Sequence, residues 1–161
     1  MKNLLAVSAI FISLSAGAVA TLTVPPASAI RTTDLNLICN TKTGTIRNVP
    51  DSIKKQVYKN AGVTVGDTTM CNAKPHAFEV DHVVSLENGG TNDISNLQLQ
   101  AYCTYDQLTK GPDGKPLYKG LYDARAKDKV ENSLHAELCP AHTAPTKTPT
   151  EVQSILENWK N

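Results

Sequence analysis

The stretch FEVDHVVSLENGGTNDISNLQLQ, residues 78–100, decides how this chain folds and which chemistry it can carry. It begins with β-forming residues, carries Asp81 and His82 side by side, passes through a polar loop with two adjacent glycines, and reaches Asn96. Successive side chains of a regular strand point to opposite faces. Asp81 and His82 can therefore serve one site only if the strand ends or bulges there, which the polar loop permits. Asn96 can hydrogen-bond loop backbone groups and hold the loop closed.

The elements around this stretch predict a small α+β fold. β-Forming residues predict a strand over 76–86, and strict alternation predicts a second strand over 97–102. Capping signals and apolar periodicity predict three helices, over residues 50–62, 121–138 and 148–160. The last of these is expected to serve packing rather than function. We expect residues 30–49 to be irregular or weakly extended, and the glycine- and proline-rich residues 103–119 to form a turn-rich excursion.

Residues 1–29 have the organisation of a secretory signal peptide. Lys2 precedes an apolar run, and the triplet Ala27-Ser28-Ala29 has the small–x–small form that signal peptidase accepts. No second apolar run follows, so we expect secretion or delivery to the periplasm rather than stable membrane insertion. We predict cleavage after Ala29, with Ala20 as the alternative, and residues 30–161 as one domain.

The predicted mature chain carries no net charge. The whole sequence has 16 basic and 15 acidic residues, and the first 29 residues hold one basic residue, Lys2, which leaves 15 of each. Affinity for nucleic acid normally rises with the number of phosphates that a protein neutralises. A general polyanion-binding protein is therefore excluded, and any contact with nucleic acid must be local, at one patch or one metal ion.

Four cysteines lie in the predicted mature chain: Cys39, Cys71, Cys103 and Cys139. An even number in an exported protein predicts two disulfides, and three pairings stay open. The alternative is a zinc site, which the lack of any Cys-x-x-Cys pair disfavours. A zinc site that combines His82, His135 and a cysteine is a further alternative.

The order of these residues resembles the HNH nuclease family, also called ββα-metal or His-Me finger nucleases. Asn96 follows His82 by 14 residues, and residues 80–98 are similar to the secreted members of the family, whose run is Asp-His-x-x-x-Leu-x-x-Gly-Gly-x-Asn-x-x-x-Asn-Leu. The resemblance covers most of residues 39–160. It implies a ββα element over about residues 76–138, with 103–119 as an insertion and flanking helices around it.

The resemblance implies a secreted or periplasmic, metal-dependent endonuclease that hydrolyses phosphodiester bonds of DNA, with RNA as the alternative substrate. His82 matches the general base, and an imidazole suits that role because its unperturbed pKa is about 6.5. Asp81 matches a ligand of one divalent cation, with Mg²⁺ as first choice and Mn²⁺, Ca²⁺ or Zn²⁺ as alternatives. Asn96 matches the asparagine that fixes the catalytic loop.

A further metal ligand is expected from the helix over 121–138, where residues 128, 132 and 135 share a face. We favour Asn132, with His135 as the next candidate, and Asp128 is either another ligand or the partner of a lysine. We expect Lys127 and Lys129 to hold the DNA backbone near the metal.

Two other classes of function stay open. One is a catalytically inactive exported module that binds a metal or a partner on the same fold. The other is a zinc-stabilised structural protein. For the enzyme we expect a monomer whose partner is the nucleic-acid substrate, and whether an inhibitor protein also binds it stays open.

Overall fold

The structure is a computed structural model that describes residues 25–71 and 76–159. The signal peptide predicted over residues 1–29 lies outside the described residues, except for its last five. The disulfides, the strands and the helix that carries the expected metal ligands all fall within the described ranges.

The described residues contain one antiparallel sheet of two strands, β1 at Phe78–His82 and β2 at Leu97–Ala101. The register pairs Phe78 with Ala101 and His82 with Leu97. β1 is shorter than the predicted 76–86 because Asn96 ends it: the Asn96 carbonyl and side-chain oxygen accept the next two backbone N–H groups. The strand therefore ends at His82. Such an end, or a bulge, is required for Asp81 and His82 to serve one site.

The described residues also form five α-helices, in chain order α1 at Leu35–Asn40, α2 at Thr43–Ile46, α3 at Asp51–Asn60, α4 at Ala124–Leu138 and α5 at Pro149–Glu157. The three predicted helices are thus present, and α5 begins with the capping box of Thr148 and Glu151. The prediction of irregular chain over residues 30–49 is wrong, because Asp34 caps α1 by accepting two backbone N–H groups. None of the helices within the described ranges has the length and apolar character needed to cross a membrane.

Two apolar clusters support the α+β fold. One lies between the sheet and α3 and is built around Val57, Phe78 and Leu99. The other joins α4 to α1 and α5, and contains Leu134 and Leu138 of α4. The second half of α4 therefore packs in the second cluster. The first half of α4 lies next to the sheet, so that its Lys127 side chain reaches the end of β1.

Two disulfides pair all four cysteines. Cys39 is bonded to Cys139, which joins α1 to the end of α4, and Cys71 is bonded to Cys103, which joins the segment before β1 to the segment after β2. The disulfide prediction is confirmed, and the cysteine zinc sites are wrong because no thiolate is left to bind metal. In the chain-entropy description, closing a loop of 100 residues stabilises the fold by about 5 kcal/mol.

The chain just before the predicted cleavage point packs against the glycine loop. Ala29 is completely buried, its carbonyl accepts the Thr91 N–H at 3.0 Å, and the Ser28 carbonyl accepts the Thr91 hydroxyl at 2.7 Å. Ile30 pairs with Gly90 as an antiparallel bridge. The predicted boundary between residues 29 and 30 therefore cuts through a packed contact.

Candidate active site

Asn96 holds the loop between β1 and β2 closed. Its side-chain oxygen accepts the Val84 N–H at 2.8 Å, and its side-chain nitrogen donates to the carbonyls of Val84 and Thr91 at 2.9 and 2.8 Å. Asn96 is completely buried, so these backbone groups have no water to replace its carboxamide. This geometry is what the expected loop-fixing role requires.

The two glycines of the loop are needed for different reasons. Gly89 has φ +92°, a left-handed conformation that side chains disfavour. Gly90 lies so close to the loop backbone that a Cβ atom there would be 1.9 Å from the Val84 carbonyl oxygen. The two glycines thus allow the tight backbone turn, across which the Asn96 side chain reaches its partners.

His82 lies at the end of β1 with 3% of its surface exposed. Its Nε2 is 3.1 Å from the Asn92 side-chain oxygen, and the Asn92 side-chain nitrogen donates to the Ile46 carbonyl at 2.7 Å. Since that second bond turns the amide oxygen of Asn92 toward the imidazole, Nε2 carries the proton and Nδ1 keeps its lone pair. Asn92 was not predicted as a site residue, although it is the asparagine of the Gly-Gly-x-Asn run.

The surroundings of His82 keep its imidazole neutral. Burial is the main cause that lowers the pKa of His82 below its usual value, and the charges of Arg47 and Lys127 lower it further. The hydrogen bond that His82 Nε2 donates to Asn92 and the charge of Asp81 act in the opposite direction but do not outweigh burial. A neutral imidazole with a free Nδ1 can accept a proton.

Lys127 occupies the space between α4 and the end of β1. Its side chain is 1% exposed, and Nζ donates to Asp81 Oδ2 at 2.7 Å, to the His82 carbonyl at 2.8 Å and to Glu131 Oε1. This differs from the expectation that Lys127 contacts DNA. The inward face of α4 consists of Ala124, Lys127, Glu131, Leu134 and Leu138, so the spacing of the helix turns Lys127 into the protein.

The ammonium of Lys127 remains charged in this position. Burial lowers the pKa of Lys127, but the charges of Asp81 and Glu131 and their hydrogen bonds outweigh burial and raise it. Burial raises the pKa of Glu131 to about 7, against the opposing charge of Lys127. A buried ammonium needs such partners, since an unpaired charge in the interior costs several kcal/mol.

The other predicted helix residues lie outside this cluster. Asp128 and Asn132 are exposed and, with Arg47, Glu87 and Glu131, line a polar cleft of about 240 Å³. His135 is half-buried, and its Nδ1 has no hydrogen-bond partner among the described residues. Lys129 is exposed, as a DNA contact would require. The structure therefore joins Asp81 to α4 through Lys127, and no hydrogen bond or ion pair in the described ranges joins Asp81 to Asn132 or His135.

The chemistry of this region suits a hard divalent cation, although the described residues contain no ready cluster of three His, Cys, Asp or Glu ligands. Burial and the charge of Asp81 raise the pKa of Asp128. The same two causes raise the pKa of Glu131. Negative charge is thus in excess around Asp81. Oxygen donors of this kind fit a hard divalent cation, and Asp81 with Asp128 or Asn132 would hold it.

Comparison with known families agrees with this geometry. Residues 69–105 match a family model described as HNH endonuclease. The matched segment includes both strands and the loop between them and ends before α4. Searches among curated proteins and among solved structures each found no match.

The three hydrogen bonds of Asn96 predict a large loss of stability when they are removed. In Asn96→Ala the Val84 N–H and two carbonyls lose their partners, so we expect the free energy of unfolding to fall by about 3 kcal/mol or more. Urea unfolding measures this. The control is Asn48→Ala at an exposed position, with a change of about 0.5 kcal/mol or less. Equal losses in both variants would contradict the role of Asn96.

Proposed function

Because residues 69–105 carry an HNH endonuclease domain, we propose that the protein is a metal-dependent endonuclease that hydrolyses phosphodiester bonds of DNA. The observation that carries the proposal is the state of His82 at the end of β1. Its buried imidazole is neutral, Nε2 is bound to Asn92, and Nδ1 is left to act as a base. RNA is the alternative substrate of the same chemistry.

In this proposal Nδ1 of His82 takes a proton from the water that attacks the phosphorus atom. Asn92 fixes the imidazole ring and keeps Nε2 protonated, so that only Nδ1 can accept a proton. A positioned general base contributes about 10²- to 10⁴-fold to the rate. A divalent cation, with Mg²⁺ proposed, would stabilise the charge that develops on the phosphate and the leaving oxygen.

The negative charge around Asp81 supports the need for such a cation. Burial and the charge of Asp81 raise the pKa of Glu79 and the pKa of Asp128, and a phosphate near these carboxylates would be repelled. Asp81 with Asp128 or Asn132 supplies oxygen donors that would hold the cation. Metal binding would thus make this acidic region compatible with a polyanion.

Arg47 is the best placed residue for a phosphate contact. It is exposed, lines the polar cleft with Asn132, and lies near enough to His82 to lower its pKa. A guanidinium can bind a phosphate through two parallel hydrogen bonds. We propose Arg47 in the role first expected of Lys127, with Lys129 as a second contact further along α4.

One observation favours a second function, a catalytically inactive exported module. Asp81 is paired with the ammonium of Lys127, so its carboxylate is already neutralised without metal. A protein that never binds metal could keep this pairing permanently. The two functions differ in whether the purified protein cleaves DNA.

Replacement of His82 should abolish cleavage. We expect His82→Ala to reduce the rate of plasmid nicking in Mg²⁺ by about 10² or more, since it removes the base. The control His142→Ala, at an exposed position, should cleave at the wild-type rate. EDTA should stop cleavage by the wild-type protein and by His142→Ala. Intact plasmid with the wild-type protein in Mg²⁺, Mn²⁺, Ca²⁺ and Zn²⁺ would support the inactive module instead.

The lowered pKa of His82 predicts the shape of the pH profile. The base works only when neutral, so kcat/KM should fall as the pH drops through the pKa of His82. Because burial holds that pKa below its usual value, the midpoint of the acidic limb should lie below pH 6.5. A midpoint clearly above pH 6.5 would contradict a buried, neutral base.

We also propose that the protein is exported, and that the signal peptide is removed after Ala20 rather than after Ala29. A cut after Ala29 would remove Ala29 and Ser28, whose carbonyls bind Thr91 beside the glycine loop. The intact mass of the exported protein decides this: a chain that begins at residue 21 supports the proposal, and one that begins at residue 30 contradicts it.

A further inference from the structure

Lys127 is the most deeply buried cation in the described part of the chain, and all three N–H bonds of its ammonium are used. They point to the Asp81 carboxylate, the His82 carbonyl and the Glu131 carboxylate. Two of these acceptors belong to the end of β1, and the third lies one turn further along α4. The ammonium thus sits where the catalytic strand and the helix meet.

The charges around this ammonium do not balance. Asp81 and Glu131 share one cation, and Asp128 lies close enough for the charge of Asp81 to affect it. A divalent cation bound to Asp81 would be attracted by these carboxylates but repelled by Lys127 at short range. Metal and ammonium therefore compete for one carboxylate.

We propose that Lys127 is a positioning residue that holds Asp81 through Oδ2 in place of the metal ion, so that a divalent cation binds Asp81 only in competition with the charge of the ammonium. The inference rests on the proposed function in one respect, that the metal of the endonuclease binds at Asp81. It adds that, without metal, Asp81 is paired with and kept in place by a residue of the chain itself.

This arrangement has two consequences for the site. Without metal, the carboxylates of Asp81 and Glu131 do not repel each other, because the ammonium lies between them. With metal, Lys127 keeps the His82 carbonyl and Glu131 as acceptors, so the end of β1 stays attached to α4. The cost is a weaker affinity for metal than the carboxylates alone would give.

Direct measurement of Mn²⁺ binding tests the competition. Free Mn²⁺ is followed by electron paramagnetic resonance as it is titrated into the wild-type protein and into Lys127→Met. We expect the Kd for Mn²⁺ to fall at least tenfold in Lys127→Met, because the repelling charge is gone and Asp81 is released. The control Lys55→Met removes an exposed lysine of α3 and should leave the Kd unchanged.

Two further variants keep the test decisive. Lys127→Gln retains a donor toward the His82 carbonyl without the charge, so it should show the same tenfold gain even where Lys127→Met does not fold. Adding Asp81→Asn to either variant should abolish the gain, which places the bound ion at Asp81. A Kd equal to or weaker than that of the wild type in the folded Lys127 variants would overturn the proposal, and so would Mn²⁺ binding to none of the proteins.

Binding and cleavage fail independently in this design. If the wild-type protein never cleaves DNA but Lys127→Met binds Mn²⁺ more tightly, the endonuclease proposal is wrong, and the competition between Lys127 and the metal ion for Asp81 is supported. If the wild-type protein cleaves DNA and the Kd is the same in all variants, the endonuclease stands and Lys127 is a structural residue only.

Discussion

A single buried ammonium connects the two parts of the site. Lys127 binds the side chain of Asp81 and the carbonyl of His82, and so attaches the end of β1 to α4. Neither contact could be made from a surface position, and neither is apolar packing. Because burying one charge demands partners, the ammonium fixes both the direction of Asp81 and the distance between strand and helix.

The loop and the imidazole lie next to that attachment and are held by contacts of their own. Asn96 ends β1 and closes the loop, which places Asn92 where its amide can orient the His82 ring. Burial then keeps the imidazole neutral. In the proposed function this neutral imidazole acts as the base, and the excess negative charge nearby would require a bound metal ion for hydrolysis of a phosphodiester.

Sequence patterns located most of the site because its parts are local. Asp81, His82 and Asn96 lie in one short motif, and their roles in the loop depend on backbone geometry that the adjacent glycines make recognisable. Disulfides followed from the cysteine count, but their pairing needed the fold, since α1 meets the end of α4 only in three dimensions.

The placement of α4 side chains could not be read from the same patterns. The apolar periodicity that predicts α4 indicates an apolar inward face, whereas the buried face also includes Lys127 and Glu131. A lysine is assigned to the surface unless its partners are known, and these partners lie on a distant strand. Sequence alone therefore could not distinguish a DNA contact from an internal ion pair.

A double-mutant cycle between Lys127 and Asp81 tests the central interaction most directly. The free energy of unfolding is measured by urea for the wild-type protein, Lys127→Met, Asp81→Asn and the double variant. The account predicts that the two effects are not additive, with a coupling energy of about 1 kcal/mol or more. Additivity within about 0.5 kcal/mol would contradict it, because the two residues would then be energetically independent.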